Sequence, residues 1–312
     1  MATKSVGIFK IASGFMAPTL NITDGSASHQ FAPMHWKIRE KTIDLTQRGM
    51  IMGILNVTPD SFSDGGVHAD ISSALAHARQ MIDEGASIID VGGESTRPGA
   101  APVSAELEIA RTLPIIAALR ETWDGLISID ASKASVAAAA LKAGADIVND
   151  VTGLEGDAAM PGLCAESGCG VVLMHMLGQP CSMQQNPIYE DVVSEVRNYF
   201  VDRLESITAQ GIHPDSVCFD PGIGFGKTCQ HNLELLRNLD KLAPGDRPLL
   251  LGVSLKSFIA RILDKEDFTA REWPTVAITS FARRKGVAIH RVHHVEANLQ
   301  AMRMTEAILG IY

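Results

Sequence analysis

Short apolar runs recur along the chain at 50–55, 87–91, 126–130, 146–150, 170–174, 216–220, 248–253 and 287–292, each followed by a loop and then by apolar residues at helical spacing. A parallel strand covered on both faces is near-continuously apolar, so the runs read as buried strands. The segments between them read as helices. In 71–84 the residues Ala74, Leu75, Ala78, Met81 and Ile82 make one face, and in 192–210 Val196, Phe200, Leu204 and Ile207 do the same. Strand–helix alternation favours a parallel sheet, and eight repeats favour an α/β fold of the (β/α)8 TIM barrel kind over an open doubly wound sheet. Upstream, 36–39 and 42–45 alternate at period two about Glu40-Lys41, which predicts a small β-hairpin under the barrel floor. Residues 1–33 have a Gly/Ser/Pro/Asn texture and weak periodicity, and read as a poorly ordered N-terminal extension to a barrel domain spanning 34–312.

Composition narrows the class. Hydrophobic residues make up 46% of the chain and charged residues 20%, enough apolar material for a globular core and no blocks of like charge. A net charge of −9, from 27 Lys+Arg against 36 Asp+Glu, argues against a nucleic-acid binder but leaves room for an anionic small ligand held by a local basic cluster. No apolar run approaches the ~20 residues of a membrane span. Cysteines at 164, 169, 181, 218 and 229 include no C-x-x-C pair, which fits reduced thiols in a cytoplasmic protein. The first 23 residues carry Lys4 and Lys10 and no acid, a faint likeness to a targeting segment, but they lack both Arg and a signal-type apolar stretch.

At the C-terminal ends of the eight runs stand Asn56, Asp90, Asp130, Asn149-Asp150, His175, Asp220, Ser254 with Lys256, and Arg291 with His293. Any one of these could be a helix cap or a turn residue. All eight being polar, with Lys, Arg and His among them, points to a site on the face where barrel strand ends converge. Asp130, Asn149, Asp220 and Lys256 combine two carboxylates, an amide and an ammonium, a set suited to a flat heterocycle with adjacent N–H donors and ring acceptors. Paired carboxylates for glycoside hydrolysis are the competing reading, and the scarcity of Trp and Tyr near the strand ends argues against a sugar. Arg97, Arg291 and His293 add cationic or proton-donating groups, while Asn56 and the loop at 58–63 add oxygen ligands; an anion such as diphosphate with Mg²⁺ is served by that combination. Gly92-Gly93-Glu94-Ser95-Thr96-Arg97-Pro98-Gly99 reads as a mobile loop over the site.

Two tempting motifs fail. Gly222-Ile223-Gly224-Phe225-Gly226-Lys227-Thr228 resembles a phosphate loop, but the spacing requires Gly where Pro221 stands, and the dinucleotide fingerprint does not match either. Its glycines are better explained by close approach of backbone to ligand or neighbouring strand, with Phe225 as an apolar wall. His175, His290, His293 and His294 could suggest zinc, yet the first strand ends in Asn-Val-Thr rather than His-x-His, and alternation turns His290 and His294 away from His293 toward packing or surface positions. Ser254-Leu255-Lys256-Ser257 opens a helical run through Leu263, whose N-terminus with Ser257 is placed to bind a carboxylate; plain capping by Ser254 or Ser257 is the alternative.

From about residue 50 onward the chain resembles the dihydropteroate synthases. The likeness is carried by 52–66, by Ile89-Asp90-Val91-Gly92-Gly93-Glu94-Ser95-Thr96-Arg97-Pro98-Gly99-Ala100, and by Ser128-Ile129-Asp130 and Val148-Asn149-Asp150. It continues through Leu173-Met174-His175-Met176, 220–227, Ser254-Leu255-Lys256-Ser257 and Arg291-Val292-His293. The resemblance implies a homodimeric barrel that joins 6-hydroxymethyl-7,8-dihydropterin diphosphate to p-aminobenzoate with Mg²⁺, releasing diphosphate, and that sulfonamides would inhibit. Carried over by position, Asp130, Asn149, Asp220 and Lys256 would hold the pterin between Met174, Phe225 and Gly252. Asn56, Arg97, Arg291 and His293 would hold diphosphate, with Asn56 also a metal ligand. Phe62, Thr96, Pro98 and Ser257 would form the p-aminobenzoate pocket, and Asp130, Lys256 and Arg97 would be catalytic.

The chain departs from the family pattern at Leu255, usually Arg, at His294, usually Asp, and at Ala131, usually Thr; the segment Arg271-Glu272-Trp273-Pro274-Thr275 replaces a turn of small residues. None removes a residue assigned to chemistry. A catalytically silent pterin-binding paralogue is the alternative function, and the intact set Asn56, Arg97, Asp130, Lys256 and His293 argues against it. A pterin-dependent methyltransferase would share the barrel but has no need of the Thr-Pro-Asp-Ser-Phe and Ser-Thr-Arg-Pro loops.

Overall fold

A computed structural model of the 312-residue chain describes residues 31–57, 66–95, 100–178, 183, 186–265, 267 and 269–311, with 66–70 described by backbone alone. The strands are β1 (His35–Ile38), β2 (Lys41–Asp44), β3 (Met50–Asn56), β4 (Ile88–Gly92), β5 (Leu126–Asp130), β6 (Ile147–Asp150), β7 (Gly170–Met174), β8 (Val217–Asp220), β9 (Leu250–Leu251) and β10 (Ile289–Val292). The helices are α1 (Gly66–Asp83), α2 (Ala105–Thr122), α3 (Ala134–Ala143), α4 (Met160–Ser167), α5 (Val192–Ala209), α6 (Cys229–Arg237), α7 (Ser257–Leu263), α8 (Glu272–Arg284) and α9 (Val295–Ile308). Strands β3 to β10 form one parallel sheet in the order β8-β7-β6-β5-β4-β3-β10-β9, and a parallel bridge between Phe219 and Leu249 brings its two edges together. The eight-stranded barrel expected from the repeats is therefore the fold.

All eight apolar runs become strands, and the largest departure is β9. The run at 248–253 yields only two strand residues. Pro248 has no N–H to give a ladder, and its carbonyl instead accepts from the Phe219 N–H at 3.0 Å. Helix α1 starts five residues before the expected position, and α5 matches 192–210 to within a residue because Asp191 caps it, its Oδ1 accepting from the N–H groups of Val193 and Ser194.

Side chains alternate between lumen and helix layer along every strand. Ile51, Leu55, Ile89, Val91, Ile127, Ile129 and Val148 face outward into the main core shared with the helices. Met52, Ile88, Leu126, Ile147, Val172, Cys218, Leu250 and Ile289 face inward and pack with Trp36, Ile38 and Leu45 from the hairpin region. The same alternation, carried two or four residues further along each strand, puts Asn56, Asp90, Asp130, Asn149, Met174, Asp220, Gly252 and Arg291 inside the opposite end. An apolar floor and a polar mouth thus follow from one period-two pattern.

β1 and β2 pair antiparallel as expected. A lone two-stranded hairpin is marginal in water, but Trp36 is fully buried against the lumen floor and its Nε1 donates to the Ser216 carbonyl at 2.8 Å. Burial of an aromatic side chain contributes on the order of 4–6 kcal/mol, so docking holds the hairpin in place. A second anchor is the fully buried Arg283–Glu306 pair between α8 and α9. Glu306 Oε1 accepts the Gly49 N–H, Arg283 Nη2 reaches the Gln47 carbonyl, and the Phe31 ring lies 4.9 Å from the guanidinium. Among the described residues no helix is long and apolar enough to cross a membrane.

Candidate active site

The lumen-facing groups meet in one cluster at the C-terminal mouth. Arg291, from the end of β10, donates from Nε to Asp90 Oδ2 at 2.6 Å and from Nη2 to Asp130 Oδ2 at 2.7 Å. Asn149 Nδ2 also donates to Asp90 Oδ2, at 3.1 Å. Four strands are tied through this one oxygen and one guanidinium. Asp90 is fully buried and the Asp130 side chain is 10% exposed, so both carboxylates depend on Arg291 for charge compensation. Burial pushes the Asp130 carboxyl well above the usual carboxylate range; Arg291 pulls it back and the neighbouring Asp90 pushes it further up. The Arg291 guanidinium loses some basicity to burial, but Asp90 and Asp130 more than restore it, and its pKa lies above the ordinary value.

Across the lumen, Asp220 Oδ1 accepts the Gly222 N–H at 2.8 Å. Its Oδ2 lies 3.7 Å from where a Cβ on Gly252 would stand, and that same Cβ would lie 3.9 Å from Arg291. Gly252 is therefore a gap between an acid and a base, and Met174 stands opposite Asp220 in the β7–β8 register. Burial raises the Asp220 pKa, against the pull of the Gly222 N–H and of Lys256. The Lys256 ammonium sits 3.9 Å from the centroid of the Phe225 ring, a cation–π placement. Gly224, at φ 84°, is what lets it pass, because a Cβ there would come within 3.1 Å of Lys256 Cδ. Burial brings the Lys256 pKa down to about 8, with Asp220 opposing the shift and Arg291 adding to it.

The loop after β8 has a buried brace of its own. Lys227 Nζ donates to the carbonyls of His175 and Phe225 and sits 2.9 Å from His175 Nδ1. Burial lowers Lys227 to about 7, and burial together with the Lys227 charge lowers His175 to about 2, which favours a neutral imidazole. The close approach expected of the glycines is real. A Cβ on Gly222 would collide with the His175 carbonyl, and one on Gly226 with the Leu177 carbonyl.

Sequence reasoning placed Asp130, Asn149, Asp220, Lys256, Met174, Phe225, Gly252, Asn56, Arg291 and His293 at the mouth, and all ten stand at or just beyond the lumen ends of their strands. Arg97, Thr96, Pro98 and Phe62 lie outside the described residues. The foot of the loop that bears 96–98 is described: Glu94 Oε1 accepts the Val103 N–H at 2.8 Å while its Oε2 and the buried Glu108 both take the Lys133 ammonium. Ser257 is exposed and is the first residue of α7. The capping alternative is corrected, since Lys256 occupies the N-cap with no side-chain cap. Ser254 turns instead to His293, with Oγ 2.9 Å from Nδ1 and accepting the His293 N–H at 3.2 Å. His290 is buried and burial lowers its pKa to about 3, while exposed His294 pairs with Glu272 at 3.1 Å, as alternation implied. Among the described residues no group of three His, Cys, Asp or Glu is arranged to hold a metal.

In the sequence Asp90 stands at a strand end with no role of its own, and Lys227 enters only within the phosphate-like loop and the 220–227 motif. A lumen reading of Ile88-Asp90-Gly92 would have flagged Asp90, because a charge two residues inside a barrel mouth needs a partner.

A family model described as "Pterin binding enzyme" matches residues 52–293. The dihydropteroate synthase of Synechocystis sp. is 43% identical over 278 residues, 89% of this chain and 96% of that protein. A crystal structure of the Yersinia pestis dihydropteroate synthase in a sulfonamide drug complex superposes with a TM-score of 0.83 at 42% identity, covering 89% of this chain and all of that one. The Xanthomonas albilineans dihydropteroate synthase in complex with 7,8-dihydropteroate gives 0.80 at 34% identity, covering 89% of this chain and all of that one.

Proposed function

The chain belongs to the pterin-binding enzymes, in the dihydropteroate synthase family, and from that membership we propose that it condenses 6-hydroxymethyl-7,8-dihydropterin diphosphate with p-aminobenzoate to give 7,8-dihydropteroate and diphosphate. The observation that carries this reading is the single mouth in which Asp130, Asn149, Asp220 and Lys256 surround a lumen walled by Met174, Phe225 and Gly252. Asp220 and Asn149 would pair with the pterin's N–H edge and ring acceptors, and Lys256 would donate to a ring acceptor from its seat over Phe225. Asn56, Arg97, Arg291 and His293 would take the diphosphate; two Arg291 N–H groups are bonded to carboxylates, and a guanidinium has five. Phe62, Thr96, Pro98 and Ser257 would receive p-aminobenzoate at the rim, where sulfonamides compete.

The reaction breaks the methylene C–O bond, with the electron pair leaving on diphosphate, and forms a C–N bond to the arylamine, which then sheds a proton. A methylene cation delocalised into the pterin ring is stabilised by the Asp130 carboxylate. The arylamine lone pair is available at neutral pH, so positioning and electrostatics carry the rate and no strong base is needed. Mg²⁺ bound with the diphosphate would neutralise the departing oxygens. The donor set suits it: this ion keeps waters and substrate oxygens and takes one or two protein ligands, here the Asn56 carbonyl oxygen. A cytoplasmic location would suit Cys164, Cys169, Cys218 and Cys229 as thiols. A homodimer would cover exposed Trp273 and Phe281 of α8 and Met304 and Ile308 of α9.

Diphosphate release and dihydropteroate formation by the purified protein, with and without p-aminobenzoate, test the reading. Product that requires both substrates supports it; pterin binding without product moves the silent paralogue ahead. A pH dependence follows as well. Lys256 is charged below about 8 and neutral above, so kcat/KM for the pterin diphosphate is expected to fall as pH rises through that value. Lys256→Arg keeps its charge throughout and should carry the alkaline limb to higher pH whatever its absolute rate. A limb unmoved in that variant would take Lys256 out of the role.

A further inference from the structure

Leu255 lies between Ser254, which holds His293, and Lys256, and it sits at φ 58°. A branched apolar residue is rare in the left-handed region. Such a conformation persists only where its surroundings over-determine it, and an outlier of this kind is a reason to ask what it serves. Both backbone polar groups of Leu255 are gripped from the start of α8. Its N–H donates to Thr275 Oγ1 at 3.4 Å, and its carbonyl accepts from Arg271 Nη1 at 3.0 Å. The two holders are buried and coupled: the Thr275 hydroxyl spends its own proton on the Arg271 carbonyl at 2.7 Å. That fixes the hydroxyl as an acceptor toward Leu255.

The consequence falls on the next residue. The Lys256 N–H closes a turn onto the Val253 carbonyl at 3.2 Å, α7 begins at Ser257, and the ammonium is delivered past Gly224 to the face of Phe225. Leu255 with φ in the ordinary negative range would leave Lys256 on another path. We propose that Arg271 and Thr275 are positioning residues for Lys256: by holding Leu255 in its left-handed conformation they aim the ammonium across Phe225 toward Asp220, an inference that rests on the pterin-binding role given to Lys256 above.

The test is Thr275→Val, which keeps the side chain's shape and removes its hydroxyl, with Thr275→Ser as the conservative control. Thr275→Val is expected to raise the KM for the pterin diphosphate, and the Kd of a pterin measured directly, by about tenfold, roughly the loss of the hydroxyl's two hydrogen bonds, to the Leu255 N–H and the Arg271 carbonyl. The KM for p-aminobenzoate should rise less than that for the pterin diphosphate, because of the residues given to that pocket only Ser257 follows Leu255, and Thr275→Ser should restore wild-type values. Leu255→Gly supplies the second arm, because glycine takes positive φ without strain. In that background the Thr275→Val effect should shrink to under about threefold. Unchanged pterin affinity in Thr275→Val, or a full effect retained in the Leu255→Gly background, overturns the proposal. If Thr275→Val does not fold, Arg271→Lys measured in the same way decides, on the same split between the two substrates. A wild-type protein that binds no pterin would overturn the site reading and this inference together, whereas an active wild type with indifferent variants overturns this inference alone.

Discussion

Asp130→Asn is expected to fold normally and to lose about two to three orders of magnitude in turnover, the scale on which a preorganised electrostatic group counts in a dry site. The amide keeps an oxygen to accept from Arg291 Nη2, so the geometry at 2.7 Å survives. What goes is the negative charge proposed above to face the pterin cation. The variant should be no less stable than the wild type near neutral pH. Burial raises the Asp130 pKa in the folded state, so the ionised carboxylate costs folding free energy above its unfolded pKa, and that cost is regained only as pH falls through the folded value. An amide removes it at every pH. Initial rates of dihydropteroate formation beside a thermal melt separate the two effects, and near-normal turnover would refute the role.

Arg291→Met should lose activity below detection and also destabilise the fold by about 3–5 kcal/mol, the range for breaking a buried pair from one side. Asp90 is fully buried and Asp130 nearly so, and Arg291 is the cation that bridges them. The sign of its pH dependence is diagnostic. With Arg291 gone, the Asp130 pKa rises further, so the variant's deficit against wild type should be widest at alkaline pH and narrow as pH falls and the carboxyl takes up a proton. Urea unfolding at several pH values would measure it; a deficit independent of pH would mean that Arg291 acts by packing and not by charge. Arg291→Lys is not a rescue, since a single ammonium cannot bridge two carboxylates with the same fork.

The barrel and most of its mouth are legible in the amino-acid sequence because one periodicity encodes both. Residues such as Ile88-Asp90-Gly92 and Leu126-Ser128-Asp130 run from apolar to polar along the lumen face, and their outward neighbours Ile89, Val91, Ile127 and Ile129 are uniformly apolar. Reading the last polar lumen-facing residue of each run therefore finds Asp130, Asn149, Asp220 and Arg291. Partnership is not encoded in that pattern. Arg291 and Asp90 are 201 positions apart in the chain, and only barrel closure makes them neighbours, so Asp90 had a place without a role. Lys227 was hidden for a related reason: its partners His175 and Phe225 are carbonyls as much as side chains, and backbone acceptors leave no mark in a residue pattern. The shortness of β9 follows from Pro248, visible in the sequence but outweighed there by the apolar run around it. Leu255 at positive φ has no signature at all, since leucine does not announce a left-handed turn as glycine or asparagine does.

The seam between β8 and β9 is the least tied joint of the barrel, closed by a single bridge where the β7–β8 joint has a ladder of four residue pairs and the β3–β4 joint one of five. It is also the joint whose upper end carries Asp220 on one side and Gly252 and Lys256 on the other. A pterin ring seated between them would act as an extra stave, adding hydrogen bonds across the gap that the backbone leaves under-bonded. Substrate occupancy and barrel closure would then be linked equilibria, with local opening expected first at this joint in the empty protein and suppressed by ligand.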